Sequence, residues 1–131
     1  MKRRFFLMTA AAACAAHVSD KALAAVPVAR REIAARRLLA ALDRRTSAGE
    51  VGRAYLAGAP QDADRARLVD ALTRGVGAQG CNPAHASRAD LRAALARQVR
   101  QDFADRQVVR VDGWVLSVTE ARLAGLVALA A

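Results

Sequence analysis

The chain ends LAGLVALAA, residues 123–131, nine positions without a polar side chain. A helix that is apolar on every side has to be enclosed on several sides. This segment is therefore either the central helix of a bundle or an end that docks on another subunit. Ser117-Val118-Thr119-Glu120 has capping-box spacing just before it, which predicts a last helix over 118–130. That helix is too short to span a bilayer, which takes about 20 apolar residues.

The residues available to enclose it are Leu, Val and Ala. Apolar residues make up 54% of the 131-residue chain, but aromatics only 4%: Phe5, Phe6, Tyr55, Phe103 and Trp114. Alanine, leucine and arginine are strong helix formers, and the expected fold is all-α, a small bundle of about five helices. Residues 28–45 predict the first helix, with Ala35, Leu38, Leu39 and Leu42 on one face and Glu32 pairing Arg36 on the other. Ser47-Ala48-Gly49-Glu50 has capping-box spacing and predicts the start of a second, which Gly58 and Pro60 end. A third is expected over 61–74, with Leu68, Ala71 and Leu72 inward and Asp62 and Asp64 in its first turn.

GVGAQGCNP, residues 75–83, reads as a loop. Ser87 predicts the cap of a fourth helix reaching about Arg106, with Leu91, Leu95, Val99 and Phe103 as a core stripe. VVRVDGWVLS, residues 108–117, is rich in β-branched residues around Asp112-Gly113, a type I′ signal, and predicts one short β-hairpin at about 108–116 before the last helix. An isolated hairpin is marginal in water, so it must pack on the helices or be completed by another chain. Trp114 is read as its anchor into the core, with a partner-facing role as the alternative.

The chain carries a net charge of +9 and a pI near 11.3, with lysine only at Lys2 and Lys21. Its arginines are scattered through every segment with acids among them. That reads as solvated helix faces rather than one nucleic-acid or lipid patch. Nucleic-acid binding is not expected, since stacking aromatics are few.

The search for chemistry returns little. Cys81 and His85 share GCNPAH, but no partner pair completes a zinc site, and the haem pattern C-x-x-C-H is absent. There is no G-x-S-x-G, no phosphate-cradling glycine loop after a strand and no H-E-x-x-H. The expectation is no catalytic residue, no metal, no cofactor and no enzymatic activity of its own.

The N-terminus is the most specific stretch. Lys2-Arg3-Arg4 precede an apolar run, FFLMTAAAACAA, of signal-peptide length; Ala22-Leu23-Ala24 then has A-x-A form. Cutting after Ala24 divides the chain into a signal peptide, 1–24, and a single small helical domain, 25–131, whose charge is +6 after loss of four basic groups and one acid. Arg3-Arg4-Phe5-Phe6-Leu7 resembles the core of a twin-arginine (Tat) signal, in which Arg3, Arg4, Phe6 and Leu7 are the matching positions; the chain departs from the pattern at Lys2 and Met8. The resemblance implies export through the Tat translocase and a periplasmic or exported location. A general secretory signal is the alternative route, and lipid attachment at Cys14 is the minor alternative.

The block DFADRQVVRVDGWVLSVTEARLAGL resembles one in small uncharacterised Tat-signal proteins. The layout is similar to the small subunits of membrane-associated flavin dehydrogenases, which accompany a large catalytic chain without a signal. The expected function is that of a non-catalytic accessory or escort subunit of a larger periplasmic protein, with an oxidoreductase as the candidate class. Trp114, Leu123, Leu126 and Val127 are the candidate partner interface. The alternative is a stand-alone exported basic domain that binds anionic surfaces such as acidic lipid.

Overall fold

The computed structural model describes residues 20–130, with side chains from residue 27 onward. It has five helices and one antiparallel hairpin before the last helix. The elements are α1 (Asp20–Ala40), α2 (Arg45–Gly58), a 3-10 turn (Pro60–Asp62), α3 (Arg65–Ala78), α4 (Arg88–Ala104), β1 (Val108–Val111), β2 (Trp114–Ser117) and α5 (Val118–Ala130). Arg3, Arg4, Phe6, Leu7 and Cys14 lie outside the described residues, while Ala22 and Ala24 fall in the first turns of α1.

The apolar C-terminal segment is the centre of the molecule. α5 contacts α1, α2, α3 and α4. Thr119, Ala121, Leu123, Ala124, Gly125, Leu126 and Val127 are all buried, Leu126 to 0% exposure. Leu38, Leu68, Leu72, Val76, Leu91 and Leu95 supply the surrounding core from α1, α3 and α4. The tightest contact is with α2: a Cβ added at Gly52 would lie 1.9 Å from the Ala124 carbonyl oxygen. Only the absence of a side chain at Gly52 lets these two backbones meet.

Four expectations from the sequence are corrected. The first helix begins at Asp20 rather than 28, so that Pro27 lies inside it; the good helix formers before Pro27 continue the helix past it. Ser47 does not cap α2. The helix starts at Arg45, and its N-cap, Arg44, makes no side-chain cap bond. Packing of Gly49 and Gly52 on α5 carries the helix back past a local signal worth about 1 kcal/mol.

The start of the predicted loop, 75–78, is helical. Val76 is 0% exposed, and burying it is worth about 1.5 kcal/mol or more, enough to carry the flanking glycines. The true stop is a Schellman motif at Gly80 (φ 75°): Cys81 N–H donates to the Val76 carbonyl at 3.0 Å and Gly80 N–H to that of Gly77 at 2.9 Å. Finally, the α4 stripe ends early, because a four-residue step advances 40° beyond each full turn. Leu91 and Leu95 are buried, Val99 half-buried and Phe103 45% exposed. The face that is buried runs Leu91, Ala94, Leu95 and Asp102.

Asp64 is the N-cap of α3, accepting from Ala66 and Arg67 N–H at 2.8 and 3.2 Å, while Asp62 sits in the turn before it. Ser87 caps α4 as expected, accepting from Asp90 N–H at 3.1 Å. Many arginines face carboxylates. Arg31 makes a two-point contact with Asp70, Glu32 takes Arg36 and Arg65, and Asp43 takes Arg88 and Arg92. Those arginines hold the carboxyls of Asp70, Glu32 and Asp43 below the usual carboxylate range.

Candidate docking site

The hairpin pairs Val108 with Ser117, Val109 with Leu116, Arg110 with Val115 and Val111 with Trp114. Asp112 (φ 47°) and Gly113 (φ 81°) make the left-handed turn that a two-residue I′ connection requires. Cross-strand partners share a face. Val109, Val111 and Leu116 pack with Val51, Ala54, Tyr55, Ala59 and Ala121 in a small second core.

Trp114 lies on that same face of the ribbon but is 72% exposed. This corrects its reading as the core anchor, a role that its partner Val111 takes. On the other face Val108 and Val115 are exposed beside Arg110. Each strand has one ladder neighbour, so each keeps an outer edge without a strand partner among the described residues. The other residues expected at a partner interface, Leu123, Leu126 and Val127, are instead buried in this chain's own core.

The ribbon is mounted on two capped helix ends. α4 closes in a second Schellman motif with Arg106 in the left-handed region (φ 57°): Gln107 N–H donates to the Asp102 carbonyl at 2.8 Å and Arg106 N–H to that of Phe103 at 3.2 Å. Gln107 C=O then accepts from Val118 N–H at 3.0 Å. Ser117 Oγ accepts from Glu120 N–H at 3.0 Å, and Glu120 Oε2 accepts from Ser117 N–H at 2.8 Å, the expected capping box.

Thr119 N–H goes to the buried Asp102 Oδ2 at 2.9 Å, and Gln98 Nε2 donates to Asp102 Oδ1 at 2.8 Å. The first four N–H groups from Ser117 onward thus all have partners. Arg106 occupies a position that suits glycine, so Arg106→Gly is expected to raise stability by about 0.5–1 kcal/mol in a urea melt.

Beneath the hairpin, buried Tyr55 donates its hydroxyl to Asp62 Oδ2, and Arg122 Nε stands 3.6 Å from the same oxygen. Burial, then the hydrogen bond and charge of Asp62, push the Tyr55 phenol up to about 12. It is the only tyrosine in the chain, so its titration can be read directly from phenolate absorbance. The expected midpoint is about 12 in the folded protein and about 10 in the unfolded chain. A phenol raised in this way contributes stability that is whole below pH about 10 and is lost as pH rises toward about 12. Tyr55→Phe removes that component, and a folded-state midpoint at the ordinary value would contradict the burial.

Cys81 and His85 do come together, lining a cavity of about 380 Å3 with Asp90 and Arg97. Both have local structural roles. Cys81 is the residue after the left-handed Gly80, packed on the core. His85 N–H closes a turn on the Asn82 carbonyl at 3.1 Å. Among the described residues, no three His, Cys, Asp or Glu side chains gather as a metal site.

Sequence reasoning missed Asp102, Tyr55 and Arg122. A signal existed for Asp102, which falls on the 3.6-residue stripe of Leu91, Ala94 and Leu95, where a carboxylate needs a partner. The chain matches no protein-family model, no curated protein and no solved structure.

Proposed function

We propose that this chain is an exported accessory subunit that docks on, and escorts, a larger protein carrying no signal of its own, with a periplasmic oxidoreductase as the leading class. The observation that carries the reading is Trp114, 72% exposed on a hairpin held at both ends by satisfied helix caps. Tryptophan is the residue type most enriched among interface hot spots, where each is worth about 2–4 kcal/mol. A mount that does not reorder on binding keeps that gain.

The twin-arginine-like start supports the export half of the reading. Position 27 supports the cut after Ala24: Pro27 lies inside α1 in the full chain, and after the cut it falls in the first turn, where proline costs nothing. No described helix is long and apolar enough to cross a membrane.

The test is a C-terminally tagged chain purified from the periplasm, beside an Arg3→Lys, Arg4→Lys form. The expected result is a mature N-terminus at Ala25 and a large co-purifying chain that disappears from the periplasm with the arginine change. A lone mature chain exported regardless of the two arginines would contradict the escort role and leave the alternative, a basic domain for anionic surfaces.

A further inference from the structure

A cavity of about 300 Å3 lies where the 3-10 turn, α3 and α5 meet, lined by Asp62, Arg67, Asp70, Ala71, Arg74 and Arg122. None of its lining residues belongs to the hairpin, and the inference does not rest on the docking role. Its two carboxylates are already engaged. Asp70 accepts both Arg31 contacts, at 2.8 and 3.0 Å, and Asp62 accepts the Tyr55 hydroxyl.

Two of the three lining guanidinium groups are not so engaged. Arg67 and Arg74, two turns apart on one face of α3, have no carboxylate within ion-pair distance among the described residues. The third, Arg122, pairs with Asp62, its Nε 3.6 Å from Oδ2, and keeps 35% of its side chain exposed.

We propose that this cavity binds a small oxyanion of the phosphate class. Arg67 and Arg74 present their guanidinium groups from α3, and Arg122 lines the opposite side from α5. The lining carries three guanidinium groups against two carboxylates, an excess of positive charge that favours an anion. Arginine is the residue suited to multi-point recognition of such oxygens.

The experiment titrates the purified full chain with inorganic phosphate at constant ionic strength, following binding heat. The expected result is saturable one-site binding, weakened about tenfold or more in the Arg67→Ala, Arg74→Ala double variant, a difference of about 1.4 kcal/mol. Both positions are solvent-facing, so the unliganded variant should melt at the parent temperature. No saturation by ~10 mM phosphate, equal binding by the double variant, or an equal response to chloride would each overturn the site.

A second arm uses vesicles containing phosphatidic acid. Vesicle binding that inorganic phosphate displaces assigns the ligand to a lipid headgroup. Phosphate binding without vesicle binding assigns it to the free anion. Vesicle binding that phosphate does not displace, and that persists in the double variant, is general surface attraction and counts against the site.

Discussion

Gly52→Ala is expected to cost more than about 3 kcal/mol, a large share of the roughly 5–10 kcal/mol typical of a domain this size. The new Cβ would lie 1.9 Å from the Ala124 carbonyl oxygen, 2.4 Å from its carbon and 2.9 Å from Gly125 N. These are backbone atoms of the central helix, so no rotamer change relieves the overlap. α2 and α5 would have to separate along the interface that buries Leu126 and Val127. Gly77→Ala is the control. Gly77 lies in α3 with nothing within 4 Å of an added Cβ, and helix propensity predicts a gain of about 0.5–1 kcal/mol. Urea melts of the two variants should move in opposite directions. A Gly52→Ala protein as stable as the parent would contradict the α2–α5 contact.

Asp102→Ala should be the next largest loss, about 2–3 kcal/mol, because two hydrogen bonds to a buried carboxylate disappear together and Thr119 N–H is left without an acceptor. Asp102→Asn keeps an amide oxygen for Thr119 and should cost about half as much. The loss is also local. Asp102 joins the end of α4 to the start of α5, and the hairpin lies between them. Hydrogen exchange should show the Thr119 amide and the ladder amides of β1 and β2 opening faster in Asp102→Ala than residues around Leu38. A uniform change across the chain would mean that Asp102 only contributes general stability.

The features legible in the sequence were those whose physics is local. Ser117 and Glu120 find each other across three residues, Ser87 caps its own helix, and Asp112-Gly113 makes its own turn. The all-apolar 123–131 run had to be enclosed by something, and α1, α2, α3 and α4 enclose it. What was not legible depends on the partner that a segment meets. Ser47 has cap spacing, but α2 starts two residues earlier, at Arg45, and packs Gly49 and Gly52 on α5. Gly75 and Gly77 looked like loop residues, but Val76 between them fills the core.

Large aromatics belong in cores on average, which is why Trp114 reads from the sequence as an anchor. The core position opposite it was taken by Val111. Phe103 kept a four-residue spacing that drifts off the buried face within three steps. For the cavity by Arg122, seven-residue spacing puts Arg67 and Arg74 on one face of α3, but nothing along the chain shows that Arg122 of α5 meets them.

The most direct test of the account is Trp114→Ala, measured twice: for stability by urea melt, and for retention of the partner identified with the tagged periplasmic chain. The account predicts a melt within about 0.5 kcal/mol of the parent, because the side chain is already in solvent, together with loss of the partner. A variant that unfolds by several kcal/mol would return Trp114 to the core. A stably folded variant that keeps its partner undiminished would contradict the hairpin as the docking surface.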